Sequence, residues 1–313
     1  MQALPSTMTK PASIETYVTM QALLHGKTRA APPKSNGQAP VTASTVQLEV
    51  SNQPPPPSQR LFKALNHLNI QSENLIDNII VHGSQGDGTQ NGFSDLDATL
   101  VIAQDVIDSA ARLSTLTRFV QTKLMPFLYS VDPLQHHGFF LLWPGLQAHY
   151  DEAILPAQIY QKAWALKPVQ LDFSIERNSA NGRTQALFKQ ILSTLSRRDK
   201  LSRYEYKNLI SHVLILPSVY YSEQGRSGLK ASSFAPFCEQ FPAYQTIYQE
   251  ASTIRNTWQQ AHHMNTTAFS KLGTRALGTD YPKYRAALQP YIVLDSPQKA
   301  RWTDSLKRLA KQI

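Results

Sequence analysis

The sequence contains a single cysteine, Cys238, in 313 residues. One thiol excludes an intramolecular disulfide and a paired-cysteine metal site, and it fits a reducing, cytoplasmic setting. Set amid Pro236, Phe237 and Phe241, it reads as a core residue rather than a nucleophile. No apolar run approaches the ~18–20 residues that span a bilayer. No apolar core follows a basic start either, so neither membrane insertion nor a signal peptide is expected. Several catalytic signatures are missing as well: a GxxxxGK[ST] phosphate loop, the glycine elbow of a serine hydrolase, and a GxGxxG opening a helix. Gly86-Asp87-Gly88 has the look of the last, but no helical pattern follows it. Acidic residues are scarce towards the end of the chain. From residue 255 to 313, ten Lys or Arg accompany only Asp280, Asp295 and Asp304, within a formal charge of +9. Such a region suits an anionic partner, whether nucleic acid or a phosphate-rich small substrate; it also suits a plain solvated helix face.

Length allows about two domains. Residues 1–57 read as a proline-rich appendage, with linker chemistry at Ala30–Gly37 and Pro54–Pro57 and a short helix over Ile14–Leu24. A core domain is expected over 58–178. It opens with a helix carrying Leu61, Leu65 and Leu68 behind Ser58 as N-cap. Strands follow at Asn78–His82 and Asp95–Ile102, then a helix at Gln104–Leu124, then strands at Gly138–Trp143 and Pro168–Phe173. Over 179–313 the apolar periodicity is helical, at Thr184–Leu195, Tyr204–Tyr221, Phe241–Ala261, Tyr281–Leu288 and Ser296–Ile313. The fold class expected is α+β, a small mixed sheet followed by a helical bundle.

The chemistry concentrates between the first two of these strands. An apolar run, Ile79–Val81, leads to Gly83-Ser84; ten residues later comes Asp95-Leu96-Asp97. Residues two apart on a strand share a face, so Asp95 and Asp97 project together while Leu96, Ala98, Leu100 and Ile102 face a core. Two carboxylates this close repel unless a cation stands between them. Hard oxygen donors suit Mg²⁺, which takes one or two carboxylates plus substrate phosphates. Gly83 lets the backbone approach a phosphate, and Ser84 adds a hydroxyl donor. A glycine-rich hairpin explains the glycines but not two carboxylates opposite the leucines.

Over Asn78 to Ile102, with a weaker extension to about Leu171, the chain resembles the DNA polymerase β-type nucleotidyltransferase superfamily. The resemblance implies transfer of an NMP from an NTP to a hydroxyl acceptor, which could be a small molecule, a nucleotide, a protein or an RNA end. It implies Mg²⁺ (or Mn²⁺) on Asp95 and Asp97, triphosphate on Gly83 and Ser84, and a helical domain beside the sheet.

The resemblance commonly implies a third carboxylate on a later strand; here the next strand, Gly138–Trp143, carries none and is preceded by His136 and His137. His137 as ligand or base, Asp151 or Glu152, Asp172, Asp132, or no third group at all remain open. If His137 serves, activity should rise with pH around the ordinary imidazole pKa of about 6.5, with Mn²⁺ favoured over Mg²⁺. Loss of catalysis, leaving a protein that binds nucleotide or a partner, is the alternative. Lys230, after a helix ending in Tyr220-Tyr221 and Gly225, is the candidate phosphate partner outside the sheet, with Arg226 next.

Overall fold

The computed structural model describes residues 20, 41–135, 137–152, 155–177, 182–197, 199–224, 226, 228–258 and 291–313. The chain forms two units of α+β composition, dividing between Asn178 and Ser179, with Asn91–Phe93 counted in the second.

The first unit contains a four-stranded sheet. Its elements begin with β1 (Val41–Val50), α1 (Gln59–Gln71) and β2 (Asn78–His82). A single short helical turn, α2 (Gly83–Asp87), leads to β3 (Asp97–Val101). Helix α3 (Ala110–Phe119) runs through a π-helical turn at Val120–Leu124 into α4 (Met125–Val131). Strands β4 (Phe140–Leu142), β5 (Trp164–Ala165) and β6 (Val169–Arg177) complete the unit. The sheet order is β4-β3-β2-β5, with β3 parallel to β4 and antiparallel to β2. β2 is buried along its whole length, which is why it reads as an unbroken apolar run. Leu96, Ala98, Leu100 and Ile102 are fully buried, as the alternation along this segment requires.

The N-terminal boundary differs from the one expected. β1 is not part of an appendage: it pairs antiparallel with β6 from Val41↔Arg177 to Val50↔Val169. Its Val46, Leu48 and Val50 pack into the core of the unit, against which β6 turns Leu171, Phe173 and Ile175. Met20 is also buried there. The proline-rich residues therefore punctuate an element of the core instead of preceding it. The remainder of the Ile14–Leu24 helix, the 30–37 linker and the Tyr281–Leu288 helix lie outside the described residues.

The second unit holds α5 (Arg183–Arg197), α6 (Arg203–Glu223), α7 (Lys230–Gln240), α8 (Gln245–Asn256) and α9 (Ser296–Leu309). Two short strands, β7 (Lys200–Leu201) and β8 (Ile292–Val293), pair within it. Ser202 and Glu205 form a reciprocal capping box at the start of α6. Glu223 accepts the Arg183 N–H at the start of α5. Capping thus accounts for both carboxylates. α7 was not expected as a helix; it begins at Lys230, the candidate phosphate partner outside the sheet. Cys238 lies half-buried on α7, and burial pushes its thiol pKa up, as for an inert core cysteine. Part of the basic C-terminal region is neutralised internally, by Lys299–Asp199 at 2.6 Å and Arg301–Glu250 at 3.0 Å. Among the described residues no helix is long and apolar enough to cross a membrane.

Candidate functional site

The site forms where β2 ends and β3 begins. The last pair of their ladder is His82↔Asp97, so these two side chains share a face. Immediately after His82 the chain turns into α2 through Gly83, whose φ is +62°. A side chain there would be strained, and its Cβ would run into the Asp97 carboxylate, with Asp97 Cβ only 3.2 Å away. Gly83 is thus the residue that lets this backbone lie against Asp97. The turn is braced from behind, because the Gln85 carbonyl accepts from Ser58 Oγ at 2.9 Å and from Trp164 Nε1 at 3.1 Å. Ser58 therefore ties the start of α1 to the turn after β2, and its hydroxyl does not cap the helix. The Ser84 hydroxyl makes no hydrogen bond among the described residues.

His137 comes between the two carboxylates. Its Nε2 lies 3.0 Å from Asp97 Oδ1 and 3.6 Å from Asp95 Oδ2. Its Nδ1 lies 2.9 Å from the Gly138 carbonyl. Each ring nitrogen thus faces an acceptor, which favours the doubly protonated imidazolium, and the Gln135 amide nitrogen lies 3.3 Å from both. Burial alone would lower its pKa, but the Asp97 hydrogen bond, the charges of Asp97 and Asp95 and the Gly138 carbonyl outweigh it and raise it to about 9. The cation that two adjacent carboxylates call for is supplied by the chain itself.

His82 behaves oppositely. Burial, opposed by Asp97 and reinforced by His137, lowers its pKa to about 4, so it is neutral. Its Nε2 meets Thr99 Oγ1 at 3.0 Å, and Thr99 Oγ1 meets the Tyr160 hydroxyl at 3.0 Å. Burial pushes Tyr160 up to about 12 against its hydrogen bonds with Thr99 and Tyr150. His82 Nδ1 is buried without a partner among the described residues.

The other candidates for a third ligand have different surroundings. Asp172 is exposed on β6, between the buried Leu171 and Phe173, and accepts from Gln170. Alternation turns it away from the core, so the apolar run around it does not aim it at the cleft. Glu152 caps the 3-10 helix Ala157–Lys162 by accepting the Ala157 N–H. Asp132 closes a turn by accepting the Leu134 N–H at 3.0 Å. Asp151 is buried, beside a single parallel bridge from Tyr150 to Ile175. His136 and Gly225 lie outside the described residues. Lys230 and Arg226 are exposed in the second unit, with the Arg226 guanidinium 4.4 Å from the Tyr221 ring centroid.

Two residues near the carboxylates were missed from sequence, His82 and Gln135. His82 reads only as the polar end of an apolar strand. The Gln135 side chain bonds the peptide of Leu96, between the two aspartates. Among the described residues no group of three or more His, Cys, Asp or Glu side chains is arranged to hold a metal ion. His137, when doubly protonated, has no lone pair to offer a metal. The donors that fit a divalent ion are the hard oxygens of Asp95 and Asp97, a number that suits Mg²⁺ arriving with substrate phosphates. Comparison with family models, with curated proteins and with solved structures finds no match for this chain.

Proposed function

We propose that the first unit is the catalytic core of a metal-dependent nucleotidyltransferase of the DNA polymerase β type, moving an NMP from an NTP to a hydroxyl acceptor. One observation carries the reading: the Gly83 backbone lies against Asp97, so that a turn able to approach phosphate adjoins a carboxylate pair. Asp95 and Asp97 would hold Mg²⁺ or Mn²⁺. Bound there, the ion supplies charge neutralisation at the attacking and leaving oxygens of an in-line displacement. The Gly83–Ser84 turn offers backbone N–H groups and the Ser84 hydroxyl to phosphate oxygens. His137, protonated on both nitrogens, balances one carboxylate charge and accepts no proton in that state.

A second reading has its own support. An imidazolium in place of the third carboxylate, and the want of a three-residue metal group among the described residues, favour a protein that binds nucleotide without turnover. The test is incubation of the full chain with each labelled NTP and Mg²⁺ or Mn²⁺, reading pyrophosphate and labelled product, with Asp97→Asn as control. Metal-dependent product lost in Asp97→Asn supports the transferase and identifies nucleotide and acceptor class. Triphosphate binding without product supports the second reading. Neither binding nor product removes both.

A further inference from the structure

Asp95 and Leu96 precede β3, whose ladder with β2 ends at His82↔Asp97. The parallel pairing of β3 with β4 begins only at Thr99. Leu96 is nonetheless fully buried, so its peptide groups need partners within the protein. One side chain supplies both. The Gln135 amide oxygen accepts the Leu96 N–H at 3.0 Å, and its amide nitrogen donates to the Leu96 carbonyl at 3.2 Å. A planar amide bonded in this way stands in for the edge of a neighbouring strand. Gln135 is only 1% exposed, and the turn that carries it is closed by Asp132, whose carbonyl accepts the Gln135 N–H at 3.1 Å. The same amide nitrogen is 3.3 Å from each ring nitrogen of His137, within hydrogen-bond distance of both.

We propose that Gln135 is a positioning residue for the metal and phosphate site: its two-sided grip on the Leu96 peptide sets Asp95 relative to Asp97, and its contact with the His137 ring sets what stands between them. What the carboxylates bind rests on the nucleotidyltransferase reading; the grip itself does not. Gln135→Met preserves most of the volume and removes both bonds. In the full chain, the Leu96 amide should then exchange with deuterated water at least tenfold faster by NMR. Mn²⁺, followed by the electron-spin resonance of the free ion, should bind at least tenfold more weakly. Leu113→Ala, a core variant on α3 that also lowers thermal stability, should change neither. If Gln135→Met does not fold, Gln135→Glu carries the test. It keeps an acceptor for the Leu96 N–H and loses the donor to the carbonyl, so Mn²⁺ should bind at least fivefold more weakly despite the added negative charge. Unchanged Mn²⁺ affinity in the folded variant, or equal weakening by Leu113→Ala, overturns the positioning role and leaves the reading intact. A wild-type chain that binds no Mn²⁺ removes the reading and, with it, the role.

Discussion

Replacing Asp97 by Asn should bring the loss of the second proton of His137 down towards neutral pH. In the metal-free chain the imidazolium persists to about 9, against an ordinary 6.5. At 1.36 kcal/mol per pH unit, that is about 3 kcal/mol in favour of the charged form, net of the burial that opposes it. The side chain is 27% exposed, so solvent screening makes this an upper figure. Both carboxylates contribute. Coulomb attraction falls as the inverse of distance, so Asp95 at 3.6 Å acts with roughly four-fifths of the strength of Asp97 at 3.0 Å. The direct hydrogen bond to Asp97 then decides the ranking. Asp97→Asn should lower the midpoint by roughly 1–3 units, and Asp95→Asn by less. The assay is a ¹H–¹³C titration of the His137 ring on metal-free protein from acid to alkaline pH, repeated with Mg²⁺, whose charge should lower the midpoint. For stability, a raised histidine pKa means a contribution complete below 6.5 and lost as pH rises through about 9. Any role for neutral His137 therefore appears at higher pH than an unperturbed histidine allows. A wild-type midpoint near 6.5, or one unmoved in Asp97→Asn, refutes the ion-paired site.

Gly83→Ala should cost roughly 1–3 kcal/mol in urea unfolding, because the added Cβ meets Asp97 at a positive φ, and it should weaken Mn²⁺ binding; wild-type values for both would show that the turn has room to spare. His82 has a lowered pKa of about 4, so its contribution is present above 6.5 and lost as pH falls towards 4. Between pH 7 and pH 5 the wild type should lose about 2 kcal/mol more than His82→Gln, and parallel pH profiles of the two unfolding midpoints would contradict the buried neutral imidazole. Deleting residues 1–50 should leave the first unit unfolded or insoluble, since β6 loses its partner strand; a dispersed NMR spectrum from the shortened chain would make β1 dispensable.

Sequence revealed the sheet around the site through local periodicity. β2 announces itself as an apolar run because both its faces are covered, and Asp95–Ile102 by alternation because each inward residue is aliphatic. β1 also carried a signal, Val46-Gln47-Leu48-Glu49-Val50, with apolar residues at every second position. The prolines at 54–57 give the whole stretch the look of linker chemistry, and its partner β6 lies more than a hundred residues away, beyond the reach of any local pattern. Gln135 had no signal at all. A side chain acting as a strand edge satisfies a peptide without periodicity, and a lone Gln in a turn has no spacing to read.

The two carboxylates are consequently held by unlike devices. Asp97 is the last rung of the β2–β3 ladder, with Gly83 against it and His137 bonded to it, so three separately placed elements fix it. Asp95 lies outside the ladder, one peptide beyond the grip of Gln135. Sheet hydrogen bonds are cooperative along the ladder, whereas a side-chain grip opens when one χ angle changes. On the proposed reading, a divalent ion that took Asp97 Oδ1 and Asp95 Oδ2 would have to displace His137, because an imidazolium and a metal cannot share the same oxygens at contact distance. Asp97 has little room to adjust to that exchange, so adjustment falls to His137 and Asp95, the two groups that Gln135 touches directly or through one peptide. The space between the carboxylates is therefore governed less by the strand that carries them than by a neutral amide beside them.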